Sequence, residues 1–428
     1  MKPIIRLLVI SICLLSISIA SGQINVGSRL ENKVNDRINN KIDKGIDKGL
    51  DGVENGVKSD DNSAKTQSEE TQTANQSNDE GAGQQDVKPD GKQDKPGMQT
   101  YSKYDFVPGA KVLFYDDFSE AAVGDFPANW NTNTSGEVVT TNLFPGNWFK
   151  MIGEGSVALD EGLNLPDNYT IEFDVISHPS GKDNENANFG FYLYSASNPK
   201  DLNEGGAVPG KVGIKMEFGY RSSYSAYDET GYTLEGTKDE AAMIPDNVYR
   251  LSFWVQKTRL RVYLNQDKIF DLPKVMTAGY QYNMMRFELW DAGEPMITNF
   301  RVAAGLPDMR NKLITEGKLV SYGIYFDVNK DVVKPESYGT LKGIADVLKE
   351  NPAVRVKIVG YTDSDGADAA NLDLSKRRGA SVKSELVKNF GIDASRLESD
   401  GMGETKPVAP NDTPVNKAMN RRVEFIKL

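Results

Sequence analysis

Residues 169–175 read Tyr169-Thr170-Ile171-Glu172-Phe173-Asp174-Val175, with an apolar side chain at every second position. Successive side chains of an extended strand point to opposite faces, so this alternation describes a strand with one face on a core and one polar face. The same period recurs over Val212 to Phe218, Tyr249 to Phe253, Arg259 to Leu264 and Met285 to Leu289. Between Arg259–Leu264 and Lys268-Ile269-Phe270 stands Asn265-Gln266-Asp267, a polar tight-turn signal that joins two strands as a hairpin. Many short strands without a helical period, over residues 105–306, predict an antiparallel sandwich or barrel. A membrane-spanning strand needs about 9 to 11 residues. Most runs here alternate over about six to eight, and the links Ser177 to Ala187 and Ser195 to Gly210 are long, so the sandwich is the reading and an outer-membrane barrel the rival.

The order Tyr249-Arg-Leu-Ser-Phe-Trp-Val-Gln256, Arg259-Leu-Arg-Val-Tyr-Leu-Asn265, Ile269-Phe-Asp-Leu-Pro273 resembles the late strands of concanavalin A-like jelly rolls such as laminin G-type modules. From Leu319 the pattern becomes strand, helix, strand, helix: Gly323-Ile-Tyr-Phe326, Pro335 to Leu348, Val354 to Val359, Asn371 to Val387. A last strand at Arg422-Val-Glu-Phe-Ile426 closes an α+β domain over 310–428, a βαβαβ-type mixed sheet with helices. The expected fold class is therefore multidomain: an antiparallel β-sandwich followed by an α+β domain.

The N-terminal third reads differently. Residues 1–22 combine Lys2 and Arg6, an apolar run from Leu7 to Ile19 and the small-residue site Ala20-Ser-Gly22, the pattern of a cleaved export signal. Cys13 is the chain's single cysteine and lies inside that apolar run behind Ile12, where a lipoprotein signal calls for a small residue, so lipidation is not expected. A mature chain starting at Gln23 would hold no thiol, and its domains would rely on their cores alone. Over 23–58 apolar residues recur every fourth position, Leu30, Val34, Ile38, Ile42, Ile46 and Leu50, with Gly45, Gly49, Gly52 and Gly56 interrupting. A four-residue period winds around a helix, and each interior glycine costs about 1 kcal/mol, so this is a marginal amphipathic segment. Residues 59–104 are a polar linker dominated by Ser, Gln, Asn, Asp, Lys and Gly, expected to be disordered. The formal charge of −11 becomes −13 when Lys2 and Arg6 leave, which argues against nucleic acid or an anionic membrane and fits a neutral or zwitterionic partner.

Near the C-terminus an acid and a base are set at a strand end and on the next helix. Asp363 closes Gly360-Tyr-Thr-Asp363, and Arg378 closes Asn371-Leu-Asp-Leu-Ser-Lys-Arg-Arg378. Such a pair can grip a small zwitterion, or can simply be an intradomain salt bridge. Tyr325-Phe-Asp-Val-Asn329, Lys334-Pro-Glu-Ser337, Gly360-Tyr-Thr-Asp363, Asn371-x-x-Leu374-Ser375-x-x-Arg378 and Asn420-Arg-Arg-Val423, in this order, resemble the OmpA C-terminal, peptidoglycan-binding family. Tyr361 stands where that family usually has histidine and Gly379 where it usually has alanine. The resemblance implies that Asn329, Asp363, Asn371 and Arg378 hold the diaminopimelate of the peptidoglycan stem peptide. The chemistry suits: a carboxylate accepts from the ligand ammonium while a guanidinium forks onto its carboxylate. It also implies an exported, periplasmic or outer-membrane-associated tether of the cell envelope.

Asp363-Ser-Asp365-Gly-Ala-Asp368 has the look of a calcium loop, but Leu374 stands where the bidentate glutamate belongs, so no metal is expected. Glycoside hydrolases built on jelly rolls would place paired carboxylates on a strand such as Glu172-Phe-Asp174-Val-Ile-Ser177. No second glutamate follows, and Glu172 and Asp174 read as the polar face of an alternating strand. Trp130, Trp148, Trp254 and Trp290 could stack on sugar or fill a core. The expectation is a non-catalytic protein with no cofactor, whose sandwich has a glycan or protein partner; the alternatives are a glycan-active sandwich and a wall-bound barrel.

Overall fold

The computed structural model describes residues 104–428 apart from 181–186, 199, 203–207, 291–292 and 306–307. The expected export signal, the amphipathic segment and all but the last residue of the linker lie outside the described residues. The described residues belong to one compact unit.

The alternating stretches form two large antiparallel sheets. The first has eight strands and runs Asp267–Leu272, Arg259–Leu264, Tyr249–Gln256, Asn168–Ile176, Met296–Ala304, Asn147–Ile152, Ser135–Thr140, with Lys111–Asp116 also pairing along Met296–Ala304. The second has seven and runs Gly231–Lys238, Ser222–Asp228, Gly213–Gly219, Asn188–Tyr194, Met284–Leu289, Gly155–Leu159, Trp130–Thr132. Among the described residues both sheets keep free edges, so these strands do not close into a barrel, and the architecture is sandwich-like. One apolar core joins them: Ile171, Phe173 and Val175 of the first sheet meet Phe191, Leu193 and Phe287 of the second. Ring centroids of Phe173 and Phe191 stand 5.1 Å apart, and those of Phe191 and Phe253 4.9 Å. Fully burying each such side chain contributes about 1.5–3 kcal/mol. The hairpin expected at 265–267 turns on Asn265 at φ +52°, a left-handed conformation asparagine tolerates, between Arg259–Leu264 and Asp267–Leu272. Trp130 and Trp148 are core residues, Trp254 lies under the Arg261 guanidinium, and Trp290 is 40% exposed.

The C-terminal region has a four-stranded mixed sheet, Lys318–Ser321, Val423–Lys427, Val356–Gly360, Leu397–Gly401, with the last pair parallel. Helices α1 (Tyr338–Glu350), α2 (Asp368–Lys388) and α3 (Pro414–Asn420) complete it. One local expectation needs correction, and one strand was not anticipated. Tyr325 and Phe326 are not in a ladder; Phe326 makes one isolated bridge to Val333, and the first strand is Lys318–Ser321. Leu397–Gly401 is a strand although Leu-Glu-Ser-Asp-Gly has no β pattern; the α2 crossover delivers it parallel to Val356–Gly360. Among the described residues no helix is long and apolar enough to cross a membrane.

The polar face of the Asn168–Ile176 strand is not solvated. Tyr104, placed by sequence at the end of the linker, is buried against Phe106 and Tyr263, and the chain then runs under the C-terminal region. A Cβ on Gly339 of α1 would meet the Phe106 carbonyl oxygen at 2.1 Å, so α1 rests directly on this segment. Beside it Glu172, fully buried, accepts from Arg301 Nη1 at 3.1 Å, Arg250 Nη2 at 3.0 Å and the Tyr325 hydroxyl at 2.6 Å. Arg250 Nη1 also binds Asp174 Oδ1 at 2.8 Å and its guanidinium lies 4.5 Å over the Tyr325 ring, while Arg301 Nη1 donates to the Tyr322 carbonyl at 2.9 Å. The carboxylates that sequence read as an outward polar face are thus the centre of a buried ionic cluster that the C-terminal region covers.

Burial alone pushes the Asp174 carboxyl up, but Arg250, Lys334 and Asn299 outweigh it and hold the carboxyl below its ordinary 3.8. A carboxyl depressed by folding adds stability above its unfolded value, and that stability is lost as pH falls through the folded one. The thermal midpoint is accordingly expected to fall below pH 3.8, and Asp174→Asn should flatten that limb while lowering the midpoint at neutral pH. Unfolding scans across pH 2.5–6 check this; an identical acid limb in the variant would contradict it.

Candidate functional site

The α2 residues Asn371, Leu374, Ser375, Gly379, Val382 and Leu386 recur every three or four positions and turn one face to the sheet. Asn371 and Arg378 are seven apart, about two turns, on nearly the same side. Close approach sets their height over the sheet. A Cβ on Gly360 would meet the Ser375 carbonyl oxygen at 2.3 Å, and one on Gly379 the Asp400 carbonyl oxygen at 2.4 Å. Glycine at 379 in place of the usual alanine is therefore a packing requirement, and its helix-propensity cost is offset by contact with the strand Leu397–Gly401.

Asp363 follows the strand Val356–Gly360 and is buried, 7% exposed. Its Oδ1 accepts from the Asp365 amide at 3.2 Å and its Oδ2 from Arg421 Nη1 at 2.6 Å. Arg378 has other partners: Nε donates to the Lys330 carbonyl at 3.0 Å, Nη2 to the Asp327 carbonyl at 3.3 Å, and the guanidinium lies 4.8 Å over the Phe326 ring. Among the described residues its Nη1 has no protein partner. Burial pulls Arg378 down to about 10; Asp363 pushes it back up while Arg421 and Arg377 lower it further. The acid and the base are thus close enough to interact electrostatically, yet their hydrogen bonds go elsewhere. The intradomain salt bridge that sequence left open does form at Asp363, but with Arg421.

Asn329 has φ +58° in the turn where the Lys330 amide donates to Asp327 O, and this turn presents the two carbonyls that hold Arg378. Asn371 Nδ2 donates to Asp363 O at 3.3 Å, Asp365 O at 3.1 Å and Glu404 Oε2 at 2.6 Å, so it ties the 363–365 loop to α2. Removing a donor from buried acceptors costs about 1–3 kcal/mol. Asn371→Ala is expected to lower stability by about that amount, measured by denaturant unfolding, in addition to any loss of ligand. Asn329 and Asn371 line an open pocket of about 360 Å³ with Asp365, Leu374 and Arg377; Asp363 and Arg378 are outside this lining.

In the loop read as a calcium-loop look-alike, Asp363 pairs with Arg421 and Asp365 with Lys417 at 3.1 Å. Sequence reasoning did not assign Arg421, Lys417 or Glu404 to the site. Arg421 stood in the quoted Asn420-Arg-Arg-Val423 motif, but nothing in the spacing says that its guanidinium returns 58 residues to Asp363. At the departure from the usual histidine, the Tyr361 hydroxyl donates to Glu424 Oε2 at 3.1 Å and the Arg422 guanidinium covers the ring at 3.7 Å, which makes Tyr361 part of the sheet's polar packing.

Residues 325–421 match the OmpA family model, so the chain carries an OmpA family domain there. Over 105 residues the chain is 49% identical to outer membrane porin F of Pseudomonas fluorescens, covering 24% of this chain and 32% of the porin. It is 40% identical over 92 residues to peptidoglycan-binding protein ArfA of Mycobacterium bovis, covering 22% and 28% respectively. The crystal structure of the peptidoglycan-associated lipoprotein from Burkholderia pseudomallei is 27% identical, aligned over 28% of this chain and 100% of that one, with a TM-score of 0.24. The chain spans about a third of the length of these two curated relatives.

Proposed function

We propose that this is a non-catalytic cell-envelope protein that binds peptidoglycan through the diaminopimelate of the stem peptide and tethers its sandwich, read from its strand order as concanavalin A-like, to the wall. The observation that carries the reading is Arg378 inside an OmpA family domain, held by two backbone carbonyls with Nη1 left for a carboxylate, beside the Asp363 carboxylate. Relatives of that domain include a protein named for peptidoglycan binding and outer-membrane proteins, which supports an envelope location. Diaminopimelate carries an ammonium and a carboxylate on one carbon, for Asp363 and Arg378 respectively. Charge-assisted hydrogen bonds net about 1.5–3 kcal/mol each, a modest affinity that a repeating polymer multiplies through effective concentration. A non-catalytic sandwich fits the state of Glu172 and Asp174, whose oxygens are occupied by Arg250, Arg301, Tyr325 and Asn299.

The test is co-sedimentation of the full chain with purified, polymer-stripped sacculi containing either diaminopimelate or lysine at the third stem position. Lysine has the ammonium but lacks the carboxylate. Retention on the first and release from the second is expected; equal retention on both would remove the diaminopimelate assignment.

A further inference from the structure

We infer that the β-sandwich is part of the peptidoglycan site: Asp117 is a positioning residue that holds Arg421 so that Asp363 can accept the ligand's ammonium. The inference rests on the peptidoglycan reading above and adds a residue from outside the family domain. Arg421 is shared between two carboxylates, Asp363 Oδ2 at 2.6 Å and Asp117 Oδ2 at 3.4 Å, and its guanidinium lies 4.9 Å over the Tyr115 ring. Asp117 follows the sandwich strand Lys111–Asp116, and its other oxygen is fixed by the Ser119 amide and hydroxyl at 3.2 and 2.6 Å. A second bridge has the same design. Lys417 of α3 stands 3.0 Å from Glu120 of the sandwich and 3.1 Å from Asp365 of the site loop. Twice, then, a cation of the C-terminal region is divided between a sandwich carboxylate and a carboxylate of the 363–365 loop.

Charge counting gives this arrangement a consequence for binding. Arg421 already occupies one oxygen of the carboxylate that the ammonium must use, so ligand binding puts two cations on Asp363. With Asp117 in place, Arg421, Arg378 and the ammonium face Asp363, Asp117 and the ligand carboxylate, three positive against three negative. Without Asp117 the group carries an unbalanced positive charge, and Arg421, with one carboxylate left, competes directly for Asp363. Burial lowers the Arg421 pKa, but Tyr115, Asp117 and Asp363 together raise it above the usual guanidinium range, so the cation persists at any working pH.

The test is calorimetric titration of the full chain with a stem tripeptide ending in meso-diaminopimelate and with the same peptide ending in 2-aminopimelate, which lacks the distal ammonium. Asp117→Asn should weaken the first about threefold to tenfold and should not weaken the second, whose lack of an ammonium leaves two cations facing two anions in the variant, and Asp117→Glu should restore the affinity for the first. Unchanged affinity in Asp117→Asn, while Asp363→Asn loses the diaminopimelate peptide, would overturn the role of Asp117 and leave the peptidoglycan reading intact. Equal weakening of both peptides together with a lowered thermal midpoint would overturn it in favour of simple domain packing. A wild-type chain that binds neither peptide would refute the peptidoglycan reading itself, and this inference with it.

Discussion

Glu172→Ala is expected to lower the free energy of unfolding by about 3–5 kcal/mol, the cost of breaking a buried ion pair from one side. The fully buried carboxylate is the common partner of Arg250, Arg301 and the Tyr325 hydroxyl. Arg250 would retain Asp174, but Arg301 would keep only the Tyr322 carbonyl through Nη1, since its buried Nε and Nη2 already have no hydrogen-bond partner. Burying an uncompensated guanidinium is more costly than losing a neutral hydrogen bond. Tyr325 would lose its acceptor at the same time, so the contact between sandwich and C-terminal region should weaken and the urea transition should broaden or split. Glu172→Gln, which keeps the shape and two acceptor lone pairs, should cost less. A change below about 1 kcal/mol in Glu172→Ala would show that the cluster does not hold the two parts together.

Arg378→Ala is expected to weaken binding of a diaminopimelate tripeptide about tenfold to a hundredfold, the equivalent of one or more charge-assisted hydrogen bonds. The side chain is suited to separating binding from folding. Burial opposes its charge and pulls its pKa down to about 10, so its removal takes away an unfavourable desolvation together with two contacts to carbonyls. Stability should therefore change much less than affinity. Arg378→Lys keeps the charge but lacks the planar fork, and should bind more weakly than wild type. Titration calorimetry on the three proteins checks the ranking, and equal affinities would contradict it.

Much of the architecture was legible before any coordinates. Alternation at 169–175 and at 285–289 marks the inner faces of both sheets, since period two is a property of the strand itself. The polar hairpin at Asn265-Gln266 was legible from turn chemistry, and Asp363 and Arg378 are at a strand end and on the following helix, as their spacing required. What stayed hidden depends on partners distant in sequence. Nothing local to Glu172 and Asp174 tells a solvated face from one covered by Tyr325, 153 residues away. Leu397–Gly401 is a strand because a parallel neighbour pairs with it, and no periodicity announced that. Glycine at 379 read only as a departure from the usual alanine because the strand against which it packs was not visible. Arg421 had no assigned role because a motif gives the order of residues, and only the fold closes α3 onto Asp363 and Asp117.

The most direct measurement is co-sedimentation of the full chain with diaminopimelate-type sacculi, wild type against Asp363→Ala and Arg378→Ala, each first shown to unfold cooperatively. Wild type should pellet with the wall and both variants should remain in the supernatant; equal retention of all three would contradict the proposed clamp.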